Sequence, residues 1–383
     1  MDNIRYAKTS EIDQLTRIWH KCFDEPPGYC DWHFKKRFTN DNTFAYLDDN
    51  KIVSDLMMVP YEFEMRGKKF NSNFVVGAAT DPDYQKKGLM KKLLKYAFYQ
   101  LRGKNQGISM LYPFNYGFYR KMGYEVVSNC IRYNLTVEQI DNIKIENDNI
   151  EIGELNTNDM QSIYNEFINR FDSRINRASL ECVNRIEGIK AAGESMIATK
   201  KDDQPQAYAL FSLNTKDTVV VEEIAYISLK ALVRLLKVLA DIAQKNSKNN
   251  VSFALPICDA LHELFSDDRK MAAFEPYAMM RIVDVEKTIS GMKFENNAKM
   301  VIEIEDNFIV ENSNNYYVEF SSNTICKQTN ADADIKMDIN TLARLLSGNL
   351  KGNDAVFQGV IENKSKCDLF VFSSQTSYVV DSY

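Results

Sequence analysis

Thr80-Asp81-Pro82-Asp83-Tyr84-Gln85-Lys86-Lys87-Gly88-Leu89-Met90 stands between two stretches of different periodicity, and its reading decides the fold. Before it, Phe74-Val75-Val76-Gly77-Ala78-Ala79 is an unbroken run of apolar and small residues, as expected of a strand buried on both faces. Pro82 has no N–H to give to a sheet ladder, so pairing is expected to stop there. After it, Leu89, Leu93, Ala97 and Leu101 recur at four-residue spacing, with Met90, Leu94 and Phe98 on the next row, which makes one face of a helix. Lys91, Lys92 and Lys95 fall on the opposite face. The order is strand, turn, helix.

A helix that begins at Gly88 leaves its first backbone N–H groups without partners, at the positive end of the macrodipole. Such an end attracts anions. Gly88 lets a phosphate come close to the backbone, and Lys86 and Lys87 add charge where a pyrophosphate would lie. No Gly-Lys-Ser/Thr follows and no Gly-x-Gly-x-x-Gly is present, which excludes the nucleotide-hydrolase loop and the dinucleotide fingerprint.

The pattern Gln85-Lys86-Lys87-Gly88-Leu89-Met90 after a strand resembles the Gln/Arg-x-x-Gly-x-Gly/Ala pyrophosphate loop of the GNAT acetyltransferases, with Met90 where a small residue is usual. One helix and one strand later, Phe114-Asn115-Tyr116-Gly117-Phe118-Tyr119-Arg120-Lys121-Met122-Gly123-Tyr124 is similar to the segment that closes a GNAT domain. Gly-Leu-Met together with Tyr-Arg-Lys-Met-Gly-Tyr looks like the Eis-type (enhanced intracellular survival) N-acetyltransferases, in which a bulky residue after Gly-Leu is normal. That resemblance implies an α+β protein with mixed sheets: tandem GNAT folds, the second degenerate, then a sterol-carrier-like domain. The expected boundaries are 1–135, 136–285 and 286–383.

Length and composition agree with such a plan. A chain of 383 residues calls for two or three domains, and 45% hydrophobic with 26% charged residues is a globular composition. A net charge of −6 disfavours nucleic acid as a partner and favours cationic substrates. The seven cysteines form no Cys-x-x-Cys pair, Met1 leads straight into charged sequence, and no apolar run approaches the roughly 18 residues that span a bilayer. These features lead us to expect a reduced, cytoplasmic protein with no membrane partner. His20, Cys22, Cys30 and His33 cluster around Pro26-Pro27-Gly28, but neither pair has the usual zinc spacing, so no metal is expected.

In chain order, Ile4 to Tyr6 reads as a strand and Ile12 to Trp19 as a helix. Ile52 to Glu64 and Lys69 to Thr80 read as a hairpin through Arg66-Gly67-Lys68, Ile108 to Tyr112 as the next strand, and Val126 to Tyr133 as the last strand of the first domain. A second series follows: a helix over Asp159 to Phe171, strands near Met196, Tyr208 and Val219, and a helix capped by Ser228 with Leu229, Leu232, Leu235, Leu236, Leu239 and Ile242 buried. At its start Ile227-Ser228-Leu229-Lys230-Ala231 replaces the glycine loop, so a second cofactor site is not expected. A third unit has strands at Val301, Tyr316 and Thr324 and an Asn340-capped helix. There Leu345-Leu346-Ser347-Gly348 and Gln358-Gly359 resemble a sterol-carrier domain, which the family uses as scaffold.

Acyl transfer to an amine needs a held thioester, a neutral amine and a proton for the departing thiolate. Ala78, Ala79 and Thr80 are expected to pair with the pantetheine arm, Gln85 to Lys91 to hold the pyrophosphate, and Phe114 and Asn115 to line the far side. Tyr119 is the expected acid. No histidine lies near these motifs, and the resemblance supplies a base, the terminal carboxylate, which here belongs to Tyr383. Asp24, Glu25 and Trp32 could face a cationic amine. The expected cosubstrate is acetyl-CoA and the expected acceptors are aminoglycoside-like polyamines or lysine side chains; the resemblance also implies a homohexamer. The rival readings are a GNAT enzyme with a narrow metabolic or peptide acceptor and a non-catalytic acyl-CoA or lipid-binding protein.

Overall fold

The computed structural model describes residues 3–145, 150–259, 261–264 and 272–379. The first unit comprises β1 (Ile4–Tyr6), α1 (Ile12–Cys22), α2 (Pro27–Lys36), β2 (Thr43–Asp48), β3 (Lys51–Met65), β4 (Lys68–Thr80), α3 (Leu89–Gly103), β5 (Ile108–Leu111), α4 (Tyr116–Arg120) and β6 (Tyr124–Val126). The second has β7 (Asn129–Thr136), α5 (Val137–Asp141), β8 (Glu151–Gly153), α6 (Thr157–Ile168), β9 (Arg174–Asn176), α7 (Ser179–Ala191) and β10 (Ser195–Lys201). It continues with β11 (Gln204–Ser212), β12 (Thr218–Tyr226), α8 (Leu229–Lys245), β13 (Asn250–Pro256), β14 (Ala272–Pro276) and β15 (Met279–Ile282). The third contains α9 (Val285–Ile289), β16 (Ala298–Glu305), β17 (Asn315–Phe320), β18 (Ile325–Thr329), β19 (Ile335–Asp338), α10 (Ile339–Leu346), α11 (Gly352–Phe357) and β20 (Ile361–Asn363).

Among the described residues the strands form three sheets, in the orders β1-β2-β3-β4-β5-β15-β6 with β9 beside β3, β14-β7-β13-β12-β11-β10-β8, and β18-β17-β16-β19-β20. The first two exchange strands. The strand expected over Val126 to Tyr133 breaks at Val127-Ser128, and Asn129–Thr136 pairs with β13 and β14 of the second sheet. Its place beside β6 is taken by β15, which arrives from the end of the second unit and pairs with both β5 and β6. Sheet membership is a non-local fact that local patterning does not carry, so a cut at residue 135 does not separate the two sheets.

The β3-β4 hairpin turns through Arg66 and Gly67, both left-handed at φ 48° and 63°, a geometry that suits the twist of the flanking strands. Its tip docks on the third unit. Arg66 Nε donates to the Leu346 carbonyl at 2.7 Å, at the end of α10, and Lys68 Nζ donates to the Ser290 carbonyl at 2.6 Å, just past α9. Cations there satisfy carbonyls that helix ends leave without partners.

Two local expectations are corrected. Leu229, the first turn of α8, is 47% exposed, because the buried face starts only at Ala231 and Leu232. The cap of α10 is Asp338, whose carboxylate accepts the Thr341 N–H at 2.7 Å, while Asn340 donates to the carbonyls of Arg120 and Tyr124. The Ser228 hydroxyl does cap α8, accepting from Ala231 N at 3.1 Å.

Candidate active site

β4 and β5 run parallel but share a single register pair, Phe74 with Met110, and then part. On the other edge of β4 the pairing with β3 slips from Met57↔Val76 to Asp55↔Ala79, which leaves Gly77 and Ala78 as a bulge. Gly77 sits at φ 60°, and a β-carbon on it would be 2.6 Å from Cζ3 of Trp19. Only glycine fits, and α1 can therefore press against the strand. The outcome is a V-shaped notch with a bulge on one lip, formed by Ala78, Ala79 and Thr80.

Past Thr80 the chain is tied down without using the amides of the helix that follows. Asp81 accepts from Asp83 N at 3.3 Å and pairs with Lys21 at 2.8 Å, and Gln85 Nε2 donates to the Thr80 carbonyl at 3.3 Å. Lys86 is left-handed at φ 63°, and the Lys87 ammonium lies 4.5 Å from the Tyr84 ring centre. Gly88 then stands just before α3 in the left-handed region at φ 73°, with no side chain on the first amides and open space where a β-carbon would be. Lys86, Lys87 and Lys91 are exposed around this end. The arrangement fits a pyrophosphate. Leu89 is buried and Met90 half-buried against the α3 core, so Met90 points away from the loop and its bulk does no harm there.

On the far side, Asn115 accepts the Phe118 N–H at 2.9 Å and so caps α4, while Phe114 is 76% exposed. Tyr119 is buried among the rings of Phe114, Phe118 and Tyr124, at 5.5, 5.1 and 5.8 Å. Burial pushes its phenol up from the ordinary value. A phenol is protonated at neutral pH with or without that shift, and a raised one parts with its proton less readily.

The residues expected to face an acceptor lie where two units meet. Asp24 and Glu25 are exposed in the α1-α2 loop, and Trp32 faces α7, where a β-carbon on Gly188 would be 2.9 Å from its indole. Glu25 meets two carboxylates that sequence reading missed, Glu194 and Glu222. Burial, then Glu222, raises the carboxyl of Glu194 to about 7; Glu25, whose residue as a whole is exposed, is raised by partial desolvation of its carboxyl and then by Glu222. No spacing links residues 25, 194 and 222; the fold alone collects them. Asp55, beside the bulge, was also missed, although a lone carboxylate in Ile52-Val53-Ser54-Asp55-Leu56-Met57 was a visible signal.

Tyr383 lies outside the described residues. The chain before it is held firmly: Ser377 bridges Ser173, Tyr378 packs on Phe171 at 5.2 Å, and Val379 N donates to Ser128 Oγ at 3.1 Å. Tyr277 continues toward the notch, its ring 4.8 Å from that of Tyr112 at the end of β5.

Family models match this chain in three places: an acetyltransferase (GNAT) domain at residues 3–127, a second acetyltransferase (GNAT) domain at 172–282, and a sterol carrier protein domain at 285–378. No curated protein sequence matches it. Among solved structures, a GCN5-related N-acetyltransferase from Anabaena variabilis superposes with a TM-score of 0.81 at 18% identity, over 99% of this chain and 100% of that one. A probable N-acyltransferase from Enterococcus faecalis gives 0.81 at 17%, over 99% of both chains. Eis1 from Mycobacterium abscessus gives 0.78 at 15%, over 99% and 100%. At such identities these likenesses speak for the fold. With two GNAT domains and a sterol-carrier domain, the chain is an acyltransferase, and an acyl-CoA is the cosubstrate its first notch fits. Among the described residues no helix is long and apolar enough to cross a membrane.

Proposed function

We propose that this acyltransferase is of the Eis type and moves the acetyl group of acetyl-CoA to a primary amine of a cationic acceptor, an aminoglycoside-like polyamine or a lysine side chain. The observation that carries the reading is the uncapped, left-handed start of α3 at Gly88, directly after a bulged strand that has parted from its neighbour. The acceptor class rests on Glu25, Glu194 and Glu222, whose carboxylates act on one another with Arg185 as a neighbouring cation, a surplus of negative charge that suits a cationic amine.

In this reading Ala78 to Thr80 align the pantetheine arm, Gln85 to Lys91 hold the pyrophosphate, and Tyr119 gives the leaving thiolate its proton. The carboxylate of Tyr383 serves as the base at the reacting nitrogen. The docked path of Ser377 to Val379 supports a tail that is delivered to the site.

The test is CoA release from acetyl-CoA with a panel of amines, for the native chain and for one extended by a few residues past Tyr383. Transfer to aminoglycosides by the native chain, with CoA binding but little turnover in the extended one, is the expected result. Equal turnover by both would remove the terminal carboxylate from the mechanism. Transfer to a single small metabolite would narrow the acceptor, and no transfer to any amine would sink the reading.

A further inference from the structure

Asp55 is 4% exposed, and its Oδ1 has no hydrogen-bond partner among the described residues. Its cross-strand neighbours are Ala45 on β2 and Ala79 on β4, so the row it occupies is small and offers it no donor. α1 lies over it with Cys22, whose thiol donates to the Thr80 carbonyl at 3.3 Å. Cys22 is the titratable group that faces Asp55 among the described residues. Leaving a buried carboxylate without a partner costs several kcal/mol.

The second unit supplies an internal control. There β11 and β12 repeat the slip, from Leu210↔Glu223 to Phe211↔Val221, and β12 runs parallel to β13 only over Thr218 to Val220. Glu223 thus stands in the register pair that corresponds to Asp55 and Ala79, on the strand that matches β4, so that it takes the place of Ala79 and Leu210 that of Asp55. It is fully satisfied. Arg177 grips it at 2.6 and 2.9 Å, Arg185 at 3.1 Å, and the Tyr208 hydroxyl donates at 2.6 Å. Against the cost of burial, the two guanidiniums hold its carboxyl down at about 2. Where this fold keeps a carboxylate at the bulge for structure, it surrounds it with donors. At the bulge that borders the open notch, it does not.

We propose that Asp55 takes the proton that the acceptor ammonium loses before it attacks the thioester. The inference rests on the acyl-transfer reading and adds a proton acceptor fixed in the body of the fold. One N–H bond of the ammonium breaks, its electron pair stays on nitrogen, and the proton goes to the ionised Asp55. The neutral amine forms the N–C bond as the C–S bond breaks, and the thiolate takes the proton of Tyr119. The second nitrogen proton goes to the tail carboxylate, and both carboxyls and the tyrosinate then equilibrate with water, so that one proton is released overall. Burial raises Asp55 well above the ordinary carboxylate value, so its ionised fraction, and the rate that depends on it, grows as pH rises.

The experiment measures kcat/KM against pH with kanamycin, and separately with an amine that is already neutral at pH 7, for the native chain, Asp55→Asn, Asp55→Ser and the tail-extended chain. CoA binding and a thermal melt establish that each variant is folded. Both Asp55 variants are expected to lose about 10²-fold or more with kanamycin near neutral pH, to have the acidic limb of the profile moved up to the ammonium's own titration, and to recover most of the rate with the neutral amine. CoA affinity stays within about twofold. A native acidic limb in Asp55→Asn overturns the proposal, as does an equal loss with both amines. If that limb moves only on extending the tail, Tyr383 holds the role instead. Native protein that transfers to neither amine places the failure in the acyl-transfer reading itself.

Discussion

The guanidinium of Arg281 lies where a β-carbon on Gly123 would be, with Cζ at 2.6 Å from that position. The glycine of the segment that closes the first notch is therefore required by a side chain 158 positions later in the chain (281 − 123). Arg281 is fully buried, is bound to Asp306 of the third unit at 2.5 Å, and sits on the strand that the second unit lends to the first sheet. One contact joins all three units.

Gly123→Ala is expected to destabilise the chain by about 3 kcal/mol, from overpacking against Arg281 and from a left-handed φ of 81° that alanine resists. Denaturant unfolding measures it. A change below about 0.5 kcal/mol would mean that Arg281 moves aside at no cost.

Gly88→Glu is expected to abolish CoA binding by putting bulk and negative charge at the uncapped start of α3. Gly88→Ala, which meets nothing within 4 Å, costs only the strain of its left-handed backbone, about 1 kcal/mol. Calorimetric titration with CoA separates the two. Equal weakening by both would show that strain, not charge, governs the loop.

Tyr119→Phe keeps the ring packing of Phe114, Phe118 and Tyr124 and removes only the hydroxyl. Turnover is expected to fall by about 10² to 10⁴ with CoA affinity nearly unchanged, as for loss of a general acid. Full turnover would take the acid role away from it.

His33 is fully buried beside Trp19, ring centres 4.6 Å apart, and burial followed by the nearby Arg37 lowers its imidazole to about 3. The unfolded chain binds a proton near pH 6.5 that the folded chain refuses until about pH 3, so stability falls as pH drops through that window. The slope approaches about 1.4 kcal/mol per pH unit. His33→Phe should flatten the dependence of Tm on pH between about 6 and 4, and an unchanged slope there would move its origin to other groups.

Much of the first notch was legible in the sequence because its parts are local. The apolar run to Ala79, the break at Pro82, the glycine before Leu89 and the lysines around it each act through backbone geometry within a few residues, and the structure has β4 ending at Thr80 and α3 starting at Leu89. The hairpin through Arg66-Gly67 was legible for the same reason. The cap of α10 shows the limit of such reading: Asp338 and Asn340 are both good caps, and only the chain's path decided that Asn340 should reach Tyr124 instead.

What the sequence alone determined is therefore the kind of notch and the units that surround it, since helix starts, turns and buried strands follow from neighbouring residues. Which strand completes which sheet, why Gly123 must be glycine, how Glu25 comes to face Glu194 and Glu222, and that Glu223 is satisfied while Asp55 is not were decided only by the tertiary structure. These facts depend on groups that are distant in the chain and brought together by burial, and a residue's charge, freedom and chemistry are set by what surrounds it.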